Sequence, residues 1–191
     1  MPTAEYDLRY LKAGIEQLEN YLLSGEIYRP IGISASPRET PYPQLTLGGL
    51  LLARQRLRAT AQSPAQQVEL AHLEDEMDTT RQKWLTAWGR KAEAEFRARL
   101  RLWRNFIAEY RQEPAINEDR YAYEVSRRVM LQLLSRETHA LPTAELELLN
   151  SLDKVLRAVL LPGDFVWDAV LVSSFPKAIY WYLYGQIKKV E

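Results

Sequence analysis

The placement of proline is the strongest constraint on what this chain can fold into, because proline breaks a helix in its interior and is tolerated in the first turn. Four of the ten prolines fall within residues 29–44, which predicts a long Pro-rich loop. By contrast, residues 65–113 hold no proline, and Gly89 is the one glycine there. The apolar residues of this stretch recur at spacings of three and four. We therefore predict one long helix over about 64–112, kinked near Gly89.

Start and stop signals divide the rest of the chain into further helices. Thr3 suits an N-cap and Gly25 a C-terminal stop, so a first helix is expected over about 4–23. Residues 165–172 are apolar without a decisive period and stay open between a short helix and a strand. The other helices are expected after Thr46, over 117–136, between Pro142 and Pro162, and from Pro176 through Tyr184. The sequence thus predicts an all-α fold, a single domain over 1–191, with a bundle of about six helices around one long central helix.

Charge and cysteine content exclude several classes of protein. The 25 basic and 25 acidic residues cancel, so the chain has no net field that would draw it to nucleic acid or to an anionic membrane. The absence of cysteine excludes disulfide frameworks, thiolate metal sites and cysteine nucleophiles, and it fits a reducing compartment. The first residues carry no signal peptide, and no apolar stretch reaches the ~20 residues that a spanning helix needs. We expect a cytoplasmic protein without a membrane partner.

Paired acids on helices raise the question of metal chemistry. Glu69 and His72 have the Glu-x-x-His spacing of di-iron carboxylate bundles, but the sequence lacks the second such pair that those sites require. Glu16-Gln-Leu-Glu19 and Asp75-Glu-Met-Asp78 each place two carboxylates on one helix face, an arrangement that resembles the Mg²⁺ sites of all-α nucleotide pyrophosphohydrolases. Nothing in the sequence shows that the two pairs converge. We therefore predict no metal, no cofactor and no catalytic residue, and keep a small Mg-dependent enzyme acting on a phosphorylated or nucleotide substrate as the alternative.

A basic face on the long helix suggests a third class of function. Arg97, Arg101 and Arg104 lie at i, i+4 and i+7 and could follow the phosphates of a nucleic acid. Acids such as Glu95 are interleaved with these arginines, and the balanced net charge lacks the footprint of a nucleic-acid binder. We expect the arginines to pair with acids on neighbouring helices. A nucleic-acid-binding accessory protein is the third hypothesis.

Two local features predict how helices meet. A short turn at Ser63 predicts that the helices on either side form an antiparallel hairpin. Arg54 and Arg58 then come level with the acidic run over 69–78, which has five acids and no Lys or Arg. The pair Gly48-Gly49 lacks the Lys-Ser/Thr of a phosphate-binding loop, so we predict that it permits either a tight chain entry or a close helix contact.

Aromatic residues near the C-terminus suggest an interface. If Tyr180, Trp181, Tyr182 and Tyr184 are on one helix, successive residues advance about 100° and cannot share one side. Either this helix crosses the middle of the bundle and all of its rings are core, or some rings contact another molecule. We predict the second, and with it a helical binding or assembly protein whose partner is another protein or a second copy.

Overall fold

The computed structural model describes residues 2–37, 39–61, 63–138 and 141–188. Within these ranges there are eight helices and two short strands, which confirms the predicted all-α fold class and the long central helix. The helices are α1 Ala4–Glu16, α2 Leu18–Leu23, α3 Leu47–Thr60, α4 Pro64–Lys83, α5 Leu85–Gln112, α6 Pro114–Asn117, α7 Tyr121–Leu134 and α8 Thr143–Val159. The antiparallel strands are β1 Leu160–Phe165 and β2 Tyr184–Ile187. In the described part of the chain, no helix is long and apolar enough to cross a lipid bilayer.

Side-chain caps start the first helices where the sequence predicts them. The hydroxyl of Thr3 accepts a hydrogen bond from the Tyr6 N–H, and the hydroxyl of Thr46 accepts one from the Gly49 N–H. At the start of α4, Ser63 and Gln66 form a reciprocal capping box. Each cap satisfies backbone donors that the first turn of a helix leaves free.

The predicted long helix is two helices, and the break lies at Trp84 rather than near Gly89. Trp84 leaves helical geometry, with φ −119° and ψ 36°. Its ring packs against the core, and the Lys83 ammonium lies 5.4 Å from the ring centroid while pairing with Glu19 of α2 at 2.9 Å. The change of direction lets α4 pack against α1 and α3, whereas α5 packs against α7 and α8. The first predicted helix is likewise divided, at Gln17, whose amide donates to the Ile31 carbonyl at 2.7 Å.

Helices α3 and α4 form the predicted antiparallel hairpin. Arg58 pairs with Glu74 at 2.8 Å, and Arg54 pairs with Asp78 at 3.5 Å. From the first ion pair to the second, the position moves four residues back along α3 and four residues forward along α4. The two helices therefore run antiparallel. The acidic run of α4 faces the basic end of α3, as the sequence predicts.

The prediction of a last helix from Pro176 through Tyr184 is wrong. After Pro176 the chain makes a short 3₁₀ turn at Trp181–Leu183 and continues as β2, which pairs with β1. Gly185 has φ 151°, and a Cβ there would lie 2.2 Å from the Leu161 carbonyl oxygen, so this pairing requires glycine. The sequence left residues 165–172 undecided between a helix and a strand. Of these residues only Phe165 belongs to β1, and a 3₁₀ helix begins at Ala169, so neither a strand nor an α-helix covers the segment.

A buried polar network joins α3 to α5. The Glu95 side chain is fully buried, and its carboxylate accepts a hydrogen bond from the Gly48 N–H at 2.8 Å and one from Arg99 Nε at 2.5 Å. Arg99 also donates to the Thr46 hydroxyl at 2.9 Å. The carboxylate thus lies at the N-terminus of α3, where the helix dipole favours negative charge. The sequence showed Glu95 only as one of the acids interleaved with the arginines of the long helix and did not predict its burial.

The glycine pair makes room for this network. A Cβ on Gly48 would lie 2.7 Å from a Glu95 carboxylate oxygen, and a Cβ on Gly49 would lie 2.6 Å from the Tyr10 hydroxyl. The predicted close contact at Gly48-Gly49 is therefore confirmed. Lys91, one turn before Glu95, is also buried and donates to the carbonyls of Ser24 and Glu26 at 2.8 and 2.6 Å.

Gly48→Ala should destabilise the protein by about 3 kcal/mol, because overpacking alone costs about 1–3 kcal/mol and the new methyl also displaces a buried charge pair. Gly25→Ala is the matched control, since a Cβ at Gly25 meets no atom within 4 Å. Its stability should stay within about 1 kcal/mol of the wild type. Urea unfolding measures both differences, and equal stability of the two variants would contradict the role assigned to Gly48.

Candidate functional site

The four C-terminal aromatic residues are mostly packed inward. Tyr180 and Tyr182 are buried, and Trp181 and Tyr184 are half-buried. The rings of Tyr180, Trp181 and Tyr182 meet edge to face, and the Tyr184 hydroxyl donates to the Phe175 carbonyl at 2.8 Å. Because these residues are not on a helix, the helical argument for their exposure fails. That these four residues form an interface stays a prediction, and the helical argument no longer supports it.

A buried arginine lies beside this aromatic cluster. Arg128 forms two hydrogen bonds of 2.8 Å with Asp153, and its guanidinium carbon lies 4.5 Å from the Tyr182 ring centroid. The Tyr121 hydroxyl donates to the Tyr182 carbonyl at 2.6 Å. Burial raises the pKa of the Tyr182 phenol, and this hydroxyl has no hydrogen-bond partner in the described part of the chain. The cluster therefore holds the 3₁₀ turn that precedes β2 against α7, and it joins α7 to α8.

The predicted basic face is not uniform. Arg97 is exposed, but it pairs at 2.5 Å with both Glu93 and Glu145, and the hydrogen bond to Glu145 raises its pKa. Arg101 and Arg104 are exposed on the same helix. The expected pairing with an acid of a neighbouring helix is therefore met by Arg97, whereas Arg101 and Arg104 have no ion pair among the described residues.

One acid of each pair considered for Mg²⁺ is engaged by a basic side chain. Glu19 pairs with Lys83, and Asp78 pairs with Arg54. Over residues 2–37, 39–61, 63–138 and 141–188, no three His, Asp or Glu side chains lie close enough together to hold a metal ion. The described residues therefore offer no metal site that would support the alternative of a metal-dependent enzyme.

The Pro-rich loop folds back on α1. Arg9 donates to both carboxylate oxygens of Glu39, at 2.8 and 2.6 Å, and to the Ser36 hydroxyl at 3.0 Å. The Ser36 N–H, together with Arg9, holds the pKa of Glu39 below its ordinary value. The Tyr42 ring packs on Tyr6 with centroids 4.3 Å apart. The loop is thus attached to the bundle by charge and by aromatic contact.

An open apolar surface lies between α1 and residues 64–76 of α4. Only Leu70, Leu73 and Met77 of the twenty residues of α4 are buried, so much of this helix stands away from the core. The result is a groove of about 730 Å³, within the usual size range of ligand-binding clefts. We call it the α1/α4 groove, and its lining residues are Lys12, Glu16, Pro64, Ala65, Val68, Glu69, His72, Leu73 and Glu76.

The α1/α4 groove combines apolar side chains with negative charge. Val68 is 72% exposed although it is aliphatic, and Leu73 contributes a buried apolar side chain. Glu16 comes from α1, and Glu69 and Glu76 come from α4. The sequence reasoning considered Glu69 and His72 as metal ligands and rejected that site, did not connect them with a groove, and missed Val68. The sequence does contain a signal for Val68, because this residue lies outside the apolar line Leu70, Leu73 and Met77 of α4. It precedes Leu70 by two residues and therefore points about 200° away from it around the helix.

Tyr121→Phe should cost about 1 kcal/mol of stability, because it leaves the buried Tyr182 carbonyl without its donor. Tyr182→Phe removes a buried hydroxyl that has no partner among the described residues, so it should leave stability unchanged or slightly higher. The two substitutions remove the same atom type from neighbouring buried rings and thus control for each other. Chemical denaturation of both variants distinguishes them, and a larger loss for Tyr182→Phe would contradict this account.

We expect no binding of duplex or single-stranded DNA at physiological salt. One of the three arginines is already paired, and the whole chain has no net charge. Fluorescence anisotropy with labelled DNA checks this expectation. Binding that weakens steeply with added salt, and that is lost in Arg101→Glu with Arg104→Glu, is the result that would contradict it.

No protein-family model, curated protein or solved structure matches this chain. Its function therefore has to be inferred from the chemistry of its own surface. Among the features described above, the α1/α4 groove is the one that offers exposed apolar area together with unpaired charge.

Proposed function

We propose that this chain is a helical binding protein that accepts an α-helical segment of another protein in the α1/α4 groove. The observation that carries the proposal is the 72% exposure of Val68 inside a concave apolar surface. Exposed aliphatic side chains in a groove favour docking of an amphipathic helix, whose anchors repeat at i, i+3, i+4 and i+7.

The dimensions of the groove suit such a partner. The residues of α4 that line it extend from Pro64 to Glu76, a length of about 18 Å at 1.5 Å per residue. This corresponds to roughly three turns of a docked helix, enough for three or four side-chain anchors. The flanking α1 forms the other wall through Lys12 and Glu16.

The proposed binding surface, the α1/α4 groove, differs from the C-terminal aromatic residues that the sequence predicted. The C-terminal rings of Tyr180 and Tyr182 are already covered by the protein's own residues, whereas Val68 is not. The class of function, binding through protein–protein contacts, stays the same. We place this binding in the cytoplasm as part of the proposal, because a chain without cysteine suits a reducing compartment.

Val68→Asp should abolish the binding of an uncharged amphipathic Leu/Gln peptide of about 18 residues, a length at which an isolated helix is marginally stable. The reason is that a carboxylate in the groove must be desolvated when an apolar anchor covers it. Fluorescence anisotropy of the labelled peptide gives the dissociation constant for wild type and variant.

Ile116→Asp is the matched control, because Ile116 is an aliphatic residue that is 69% exposed and lies outside the groove. It should bind the Leu/Gln peptide as the wild type does. If both variants lose binding equally, or if the wild type binds no amphipathic peptide of this length whatever its polar face, the groove is not a helix-binding site.

A further inference from the structure

We infer that the helix accepted by the α1/α4 groove is basic, with Lys or Arg flanking its apolar anchors. This inference rests on the proposed function, because it names the chemistry of the partner at the same site. It depends on the charges that line the groove and on which of them the protein already pairs.

The acids of α4 fall into two groups by their partners. Glu74 and Asp78, on the side that faces α3, are paired with Arg58 and Arg54. Glu69, which lines the groove, has no ion pair with a Lys or Arg in the described part of the chain. Arginines of α3 thus neutralise one side of the acidic run, and the groove side keeps its charge.

The groove is therefore net negative. Its lining has the carboxylates of Glu16, Glu69 and Glu76 against the single ammonium group of Lys12. Glu16 likewise has no ion pair with a Lys or Arg among the described residues, and Glu76 lies 3.8 Å from His72 Nδ1. An acidic rim around apolar side chains is complementary to a helix with apolar anchors and basic flanks, because Lys and Arg extend their alkyl stems over apolar area while their charged ends reach the rim.

The other occupants fit less well. A second copy of this chain would have to offer its own basic face at Arg101 and Arg104, but the apolar side of that helix is already buried in the core around Trp103. Such a contact would also join two different surfaces head to tail, which forms rings or open chains rather than a two-fold symmetric dimer. Phosphate groups of lipid or nucleic acid would be repelled by the carboxylates.

The test compares three amphipathic peptides of about 18 residues with the same Leu positions and with Lys, Gln or Glu on the polar face. The Leu/Lys peptide should bind about tenfold more tightly than the Leu/Gln peptide, as expected for a few exposed ion pairs. The Leu/Glu peptide should bind more weakly than either. The difference between Leu/Lys and Leu/Gln should shrink as salt is raised.

Glu69→Gln should reduce the preference for the Leu/Lys peptide and leave the affinity for the Leu/Gln peptide unchanged. Asp75→Asn is the matched control, since it removes one exposed carboxylate from the same helix outside the groove lining. Asp75→Asn should keep most of the preference for the Leu/Lys peptide. Glu16→Gln combined with Glu69→Gln should remove most of that preference.

The outcomes separate this inference from the proposed function. If the Leu/Gln peptide binds in the groove but the Leu/Lys peptide binds no more tightly, the basic partner is excluded and the helix-binding function stands. If no peptide binds, the proposed function fails. If the protein alone forms larger species in sedimentation velocity and Val68→Asp disperses them, the occupant is a second copy and the inference is overturned.

Discussion

The contact between the Glu95 carboxylate and the first turn of α3 is the interaction on which the arrangement of the helices depends. It connects the Gly48 N–H to Arg99, and Arg99 in turn bonds Thr46, the residue that caps α3. A buried ion pair is tolerated only when hydrogen bonds satisfy both charges, and here backbone and side-chain donors surround the carboxylate. Removing either partner would leave a buried charge without compensation. The network therefore specifies where α3 starts on α5 and excludes a shifted packing of the two helices.

The position of the α1/α4 groove follows from this connection. With its start held against α5, α3 extends to the turn at Ser63, and α4 returns beside it through the pairs of Arg54 and Arg58. The break at Trp84 then allows α5 to take a different direction. As a result, the first turns of α4 stand beside α1 with little core beneath them, and Val68 stays exposed.

Local signals predicted much of the fold. The caps at Thr3, Thr46 and Ser63 and the hairpin of α3 and α4 depend on residues close together in the chain, and they were predictable for that reason. The break at Trp84 was not, because a half-buried indole contacts residues distant in sequence and no proline or glycine marks the position. The C-terminal strand was missed because helical periodicity was assumed for a segment that turns at Trp181–Leu183 and then pairs with β1, a partner distant in the sequence. Of the residues that line the groove, Glu16, Glu69 and His72 were singled out, but as possible metal ligands, and Val68 was not.

The sequence by itself determined the fold class, the starts of α1, α3 and α4 and the charge complementarity between α3 and α4, because these features depend on spacings within one or two adjacent helices. Only the tertiary structure decided which charges are buried. Glu95 and Arg97 are two residues apart on the same helix, and both are charged, yet the first is fully buried at the start of α3 and the second is exposed and paired with Glu145. The physical reason is that the burial of a side chain depends on what the rest of the chain brings against it. The same reason applies to the groove, whose two walls are separated by about fifty residues and meet only when the bundle has formed.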